Sequence, residues 1–515
     1  MEQKKQVAIE MRCVTKAFGS LVANKDVDLC VYRGEILALL GENGSGKTTL
    51  MNMLSGIYYP DAGEIFVDGK SVSIRSPKDA FECGIGMIHQ HFKLVDIFSA
   101  VENVALAMDS QEKYNLKAVA AKMQQICDRY GFELDIQQKV YDMTVSQKQT
   151  LEIIKVLYRG ADFLILDEPT AVLTPQEADK LFQVIRNMRE DGKSVIIITH
   201  KLHEVLDISD RVTILRKGQY IGTVDTKDAT EDSLTEMMVG QKVELNIDRP
   251  EPVDPEPRLI LKNVTCKNAE GIIVLDDVSF TVNSGEILGI AGISGCGQKE
   301  LLEAIAGLQG VEAGGSILYY SPQNRKTTEL VGKSPRKIRD LGVALSFVPE
   351  DRLGMGLVGS MGMTENMMLR YYNDNKTIFA EMKKPRKLAL KIKEELDVAT
   401  PGIDTPVRAL SGGNVQKVLV GREIAASPTV LMTAYAVRGL DIHTSYTIYR
   451  LLNEQKQAGV AVIYVGEDLD VLLEISDRIM VLCGGRVNGI VDARTTTKSE
   501  VGLLMTNMRK EAQHD

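Results

Sequence analysis

Two glycine-rich segments of this chain disagree at the positions where phosphate chemistry needs them to agree. The first runs Gly41, Glu42, Asn43, Gly44, Ser45, Gly46, Lys47, Thr48, Thr49. Glycines at this spacing let successive backbone N–H groups turn inward around phosphate oxygens. Lys47 adds a point charge to the same oxygens, and Thr48 offers a hydroxyl to Mg2+. The residues that follow start a helix whose N-terminus also favours an anion. The second segment runs from Gly292 through Cys296 and Gly297 to Gln298 and Lys299. Here glutamine stands at the lysine position and lysine at the hydroxyl position. The first segment is expected to bind a nucleotide; the second is degraded.

Other residues divide in the same way. Asp167 ends the apolar run Phe163–Leu166, where an aspartate suits Mg2+ coordination, and Glu168 beside it would polarise an attacking water. An acid pair after a strand can also be a solvated turn, but a phosphate loop upstream favours the chemical reading. The Gln90 carbonyl could reach the metal and the water. His200, between Thr199 and Lys201 after the run Ser194–Ile198, could contact the terminal phosphate, although a lone histidine is more often structural. Phe18 could stack on adenine or be an ordinary core residue. His89, His91 and His203 have no metal-ligand spacing.

These groups need rigid elements to hold them, and the chain supplies those twice. Glu35–Leu40 runs into the first glycine loop and Glu286–Ile290 into the second. Phe163–Thr170 and Ser194–His200 are echoed by Val430–Val437 and Val460–Glu467. Strand–loop–helix units of this kind predict α/β domains with largely parallel sheets. A chain of 515 residues suits two domains of about 250. Four prolines alternate with acids between Arg249 and Pro257, which predicts an extended, exposed linker. The polar, helical stretch from Val101 to Gln149 predicts an inserted helical subdomain.

Composition narrows the class. The chain is 44% hydrophobic and 25% charged, without tryptophan, and no run approaches the ~18–20 apolar residues of a membrane helix. Met1–Gln6 lead into strand-like sequence without a secretory hydrophobic region, so a cytosolic chain is expected. A net charge of −9 without a basic stripe argues against a nucleic-acid partner. The cysteines (Cys13, Cys30, Cys83, Cys127, Cys266, Cys296, Cys483) are scattered and read as free or buried thiols.

With these residues in place, the chain resembles the ATP-binding-cassette ATPases over essentially its whole length. Leu410, Ser411, Gly412, Gly413 and Asn414 lie close to that family's Leu-Ser-Gly-Gly-Gln signature. The resemblance implies an α/β fold of two tandem cassettes, each a RecA-like core with an inserted helical subdomain. Domain 1 would cover 1–245, the linker 246–257 and domain 2 258–515. ATP and Mg2+ are the implied cofactors.

In that family two cassettes pack head to tail, and each ATP lies between the Walker motifs of one and the signature of the other. One site would combine Lys47, Thr48, Gln90, Asp167, Glu168 and His200 with Ser411, Gly412, Gly413 and Asp441. The other would place Gln298, Lys299, Ala434, Tyr435 and Glu467 opposite Thr144, Ser146 and Thr174, with Glu350 at the Gln90 position. Thr144 keeps a hydroxyl where the signature has serine, whereas Ser146 adds a side chain where it has glycine. The losses collect in one site, so a single hydrolytic site is expected. Nucleotide binding at the other stays open.

Two cassettes in one chain with no membrane span resemble the importer ATPases for monosaccharides and nucleosides. Such subunits dock on the cytoplasmic face of the membrane beneath two permease subunits, which receive substrate from an extracytoplasmic binding lipoprotein. Gly86–Val95, Ala434 with Arg438–Asp441, and Gly466–Asp470 resemble the nucleoside branch. Tyr435 and Val437 depart from the usual Gln and Thr, and Met143–Gln147 from the usual Leu-Ser-Val-Gly. The implied function is ATP hydrolysis that powers nucleoside import, with a monosaccharide importer as the alternative. Remoter still is a soluble tandem-cassette ATPase of the ribosome, which usually keeps both glutamates and a long charged linker.

Overall fold

The computed structural model describes residues 6–19, 21–88, 93–108, 115–171, 173–199, 201–240, 247–293, 295–340, 345–349, 351–371, 381–438, 440–466 and 468–506. The chain divides into two compact units, Met1–Glu244 and Leu245–Asp515.

Short aliphatic runs build the main sheet of the first unit. Its six strands lie in the order Gln219–Asp225, Arg211–Arg216, Ile36–Leu40, Ser194–Ile198, Phe163–Asp167, Ile85–Ile88. Ile36–Leu40 pairs in parallel with both neighbours, Ile36 opposite Val195 and Leu37 opposite Arg211. Ile36–Leu40 and Ser194–Ile198 are buried along their whole length, as parallel strands covered on both faces must be. Alternate residues therefore serve two cores. Ile36, Leu164, Val195 and Ile197 face one with the helices, and Leu37, Leu39, Ile165 and Ile196 face the other. Each such side chain contributes roughly 1.5–3 kcal/mol by leaving water. A four-stranded antiparallel sheet, Leu21–Tyr32, Val7–Phe18, Ala62–Val67 and Lys70–Val72, closes the second core.

The helices Ala100–Ala105, Leu116–Tyr130 and Val145–Tyr158 lie between the strands Ile85–Ile88 and Phe163–Asp167. Leu116–Tyr130 shows why the sequence folds this way locally. Asn115 caps it by accepting from the N–H groups of Lys117 and Ala118, and Gly131 ends it at φ 82°. Val119, Met123, Cys127 and Tyr130 recur at helical spacing and are buried.

The second unit repeats this order. Its main sheet runs Arg486–Asp492, Arg478–Cys483, Ile287–Ala291, Ala461–Val465, Val430–Ala434, Leu345–Val348. Met363–Tyr371, Lys383–Glu395 and Gly412–Ala425 stand where the first unit has its three inserted helices.

The proline-rich stretch differs from its expectation. Val253–Glu256 are exposed, but the residues before them are pinned to the second unit. Ile247 is buried in its core. Arg249 Nη1 donates to the carbonyls of Leu473 (2.6 Å) and Ser476 (2.8 Å). Lys456, only 1% exposed, donates to Pro250 O at 2.6 Å and pairs with Asp477 at 2.7 Å. Proline and acid content measures how well a backbone stays solvated; it carries no sign of a buried lysine waiting for a carbonyl. Among the described residues no helix is long and apolar enough to cross a membrane, and all seven cysteines are free.

Candidate functional site

The first glycine loop leaves the carboxyl end of Ile36–Leu40, whose neighbours lead away to either side, a position where open α/β sheets bind ligands. The loop has no room for side chains at its ends. A Cβ on Gly41 would stand 2.3 Å from Leu215 O and 2.5 Å from Ser45 Oγ. Gly46, at φ 95°, caps the helix Lys47–Leu54, and a Cβ there would stand 2.5 Å from Ala23 O. Asn24 props the loop by donating from Nδ2 to Gly46 O at 3.2 Å. Ser45 Oγ is buried and has no hydrogen-bond partner. Lys47 is buried, and its ammonium donates to Gly41 O (2.6 Å) and Glu42 O (3.0 Å). Asn43 and Gly44 lie exposed on the loop, and Thr48 is exposed on the first helical turn with Thr49 half-buried behind it. An orphaned hydroxyl, a glycine cradle and a buried ammonium on loop carbonyls fit a phosphate group.

Two carboxylates face this loop. Asp167 ends the strand Phe163–Asp167, and Glu168 follows at φ 46°, a left-handed conformation that costs a non-glycine residue about 1 kcal/mol or more. Its N–H donates to Ile198 O at 2.8 Å. Burial, reinforced by the neighbouring charge of Glu168 and opposed by Lys47, pushes the Asp167 carboxyl up to about 6. Burial likewise lowers the Lys47 ammonium, against the pull of Glu168 and Asp167. Among the described residues no group of three or more His, Cys, Asp or Glu side chains could hold a metal. A hard cation here would need Asp167, the Thr48 hydroxyl and phosphate oxygens together, a donor set that suits Mg2+.

Phe18, at the end of Val7–Phe18, is 43% exposed and meets the Tyr58 ring edge-on at 5.1 Å. It is not the core residue it could have been. Gln90 and His200 lie outside the described residues, as do Glu350 and Glu467. Ser411 caps Gly412–Ala425 and accepts from Asn414 Nδ2 at 2.8 Å. Asp441 caps Ile442–Gln457, and its Oδ2 stands 3.7 Å from where a Cβ on Gly413 would be.

Residues 24–171 and 275–433 match the family profile described as ABC transporter. The chain belongs to the ABC transporter family. It is 42% identical over 505 residues to a nucleoside import ATP-binding protein of Lactococcus lactis, across 97% of this chain and 98% of that one. It is 42% identical over 513 residues to a guanosine import ATP-binding protein of Bacillus subtilis (98% and 99% covered). A ribose import ATP-binding protein of Rubrobacter xylanophilus is 37% identical over 504 residues (97% and 98% covered). The two units are thus ABC cassettes in tandem, and the chain is an ATPase of a transport system.

The second cassette keeps the backbone of the first and replaces its chemistry. Gly297 caps Gln298–Ile305 at φ 99°, and a Cβ on it would stand 2.7 Å from Val274 O. Gln298 is buried, and its Nε2 donates to Ile293 O at 3.2 Å, much as Lys47 holds its own loop. Leu275 takes the place of Asn24 beside the loop glycine. Lys299 is exposed beside Glu303 at 3.8 Å. Ala434 ends its strand buried, and Tyr435 follows at φ 51° with its N–H on Val465 O at 2.9 Å. In the first cassette, Thr144 caps Val145–Tyr158 at the place where Ser411 caps Gly412–Ala425 in the second. Thr144 accepts from Gln147 N at 3.2 Å, and Ser146 is half-buried in the first turn. Thr174 is a buried cap on Pro175–Glu190.

Sequence reasoning missed a polar cluster beside Glu168, made of buried Gln149, Thr170, Thr199 and Glu204 with half-buried Lys201. Gln149 Nε2 donates to Pro169 O at 2.6 Å. Thr170 Oγ1 lies 2.6 Å from both oxygens of Glu204, which is 4% exposed. Comparing the halves position by position would have revealed it, because Val437 and Val471 occupy the places of Thr170 and Glu204.

Proposed function

We propose that this chain powers nucleoside import by hydrolysing ATP at one composite site, and that its other site does not hydrolyse. The observation that carries the single-site reading is a pair of matching turns. Both are left-handed and both are tied to the neighbouring strand, but one presents Glu168 and the other Tyr435. An ordinary phenol, with a pKa of about 10, is protonated at neutral pH and does not offer water the ionised acceptor that a carboxylate does.

In this reading the loop Gly41–Thr49 holds the phosphates, Lys47 exchanges its loop carbonyls for phosphate oxygens, and Phe18 lies against adenine. Thr48 and Asp167, with Gln90, would hold Mg2+, which when bound would supply positive charge that offsets charge on the transferred phosphoryl group. Glu168 orients the water, and His200 contacts the terminal phosphate. Ser411, Gly412, Gly413 and Asp441 complete the site from the second cassette, an assignment that rests on family resemblance. Two permease subunits and an extracytoplasmic binding protein are the proposed partners, with the chain peripheral on the cytoplasmic face.

The nucleoside cargo rests on the two 42%-identical relatives; the 37%-identical ribose relative favours a monosaccharide as the second reading. Uptake of labelled guanosine, adenosine, ribose and galactose, in cells carrying wild type or Glu168→Gln, separates them. Nucleoside uptake should fall in the variant while sugar uptake holds. Loss of sugar uptake instead would overturn the cargo.

A further inference from the structure

The cluster behind Glu168 is costly to build. Glu204 is a buried carboxylate. Besides Thr170, it receives Lys201 Nζ at 3.0 Å and Thr199 Oγ1 at 3.4 Å. Lys201 Nζ also reaches the carbonyl and the hydroxyl of Thr170, each at 3.3 Å. Thr170 and Thr199 are themselves buried. The cluster joins the turn that follows strand Phe163–Asp167 to the turn that follows strand Ser194–Ile198. Gln149 holds the first turn from a third side, through Pro169 O, from the helix Val145–Tyr158.

A plain explanation is that the polar groups are needed to make the turn. The second cassette argues against it. Its turn has the same left-handed residue and the same strand hydrogen bond, yet Val437 and Val471 replace Thr170 and Glu204 and pack on the apolar core. Gly466 and Asp468 replace Thr199 and Lys201. Gln416 stands where Gln149 does, buried, with neither amide atom hydrogen-bonded. The fold therefore forms the turn without a threonine–glutamate pair behind it, although Arg352 still donates to the Arg438 carbonyl there, and replacing buried ionic groups by apolar ones is often neutral or stabilising. The chain keeps the expensive version only where the turn carries a carboxylate.

We propose that Thr170 and Glu204 are positioning residues for Glu168, fixing the turn so that its carboxylate is held for the water-orienting step. The proposal rests on the reading of Glu168 given above. Neither residue is assigned contact with nucleotide. Both act through the backbone of residues 168–171, where Ala171 N–H already closes on Glu168 O at 3.2 Å. A carboxylate misplaced by a fraction of an ångström leaves substrate binding intact and slows chemistry.

The test borrows the two valines of the second cassette. Full-length chains are compared as wild type, Glu168→Gln, Thr170→Val with Glu204→Val, Thr170→Val alone, and Thr170→Ser. The readouts are ATP turnover, affinity for a non-hydrolysed ATP analogue, and the unfolding midpoint. The double valine variant should lose kcat roughly 10- to 100-fold with KM, analogue affinity and midpoint unchanged. Thr170→Ser, which keeps the hydroxyl, should recover most of the rate lost in Thr170→Val. An undiminished kcat in the double variant, with Glu168→Gln inactive, overturns the positioning role and leaves the Glu168 reading standing. A fall in kcat accompanied by a fall in midpoint or affinity assigns the pair a structural role instead and also overturns it. Turnover that persists in Glu168→Gln overturns both.

Discussion

The two cassettes share a backbone and differ in what it carries. The loop glycines sit at φ 80° and 95° in the first and 87° and 99° in the second. The turns after Phe163–Asp167 and Val430–Ala434 sit at φ 46° and 51°, and their strand hydrogen bonds measure 2.8 and 2.9 Å. Against that sameness stand a handful of side chains: Lys47 against Gln298, Asn24 against Leu275, Asp167 against Ala434, Glu168 against Tyr435. The difference teaches that the sheet and its packing own the shape of the glycine loop and the turn, while the side chains proposed for catalysis are ones that shape does not require. A well-formed cradle is therefore poor evidence of an active one.

The largest effect should come from the turn. Glu168→Gln is expected to lower ATP turnover about 10²–10⁴-fold, whereas Tyr435→Phe should leave it unchanged. Steady-state hydrolysis by the two purified variants checks the asymmetry, and equal losses would break it. Next comes a pair of matching ion pairs that differ in burial. Lys456→Met removes the nearer of the two cations paired with buried Asp477, the other being Arg494 at 3.5 Å, and should cost up to about 3–5 kcal/mol of stability. Arg189→Met removes the partner of Asp210, where both side chains are a third exposed, and should cost no more than about 1 kcal/mol. Urea unfolding of each variant measures the gap.

A third effect is confined to the cassette with acids. The folded pKa of Asp167, about 6, lies above its ordinary value of 3.8, so the group's favourable contribution to folding is complete below that value and is lost as pH rises through about 6. Asp167→Asn should stabilise the nucleotide-free chain by about 3 kcal/mol near neutral pH and by little near pH 4. Ala434→Asn should show no such pH dependence. Unfolding midpoints taken across that range decide it; a gain independent of pH would refute the assignment. Smallest is the change that ignores the asymmetry. Gly46→Ala and Gly297→Ala each put a Cβ against backbone at positive φ, and each should cost about 1–3 kcal/mol. A marked difference between the two in thermal unfolding would show that the cradles are less alike than their dihedrals.

Much of this was legible beforehand, for physical reasons. Short apolar runs bounded by glycine or an acid, such as Ser194–Ile198 and Phe163–Asp167, can be little but buried parallel strands, so the loop residues had a known platform. The division between a complete and a depleted set of side chains was also visible, because Gln298, Ala434 and Tyr435 differ in kind from Lys47, Asp167 and Glu168. Other features were hidden. Glu204 sits in a short amphipathic helix, where a glutamate ordinarily faces water; only its burial against Thr170 marks it. The docking of Arg249 on Leu473 and Ser476, and of Pro250 on Lys456, spans about 200 residues, and no local pattern encodes a contact of that span. The left-handed turn at Glu168 was unreadable because neither glycine nor asparagine marks it.

The pinned start of the proline-rich stretch has a consequence for how the chain breaks. A protease needs chain it can draw out as an extended strand, and this stretch is the most obvious place to look for one. Yet Pro250 is held through its carbonyl by a lysine that is itself buried, and Arg249 is anchored on two further carbonyls. Cleavage there must first break the hydrogen bonds that hold Arg249 and Pro250 on the second unit, one of them from a lysine buried in an ion pair. Digestion should therefore spare Ile247–Pro250 until that unit begins to unfold, so that scission at these residues times the opening of the unit they are fastened to.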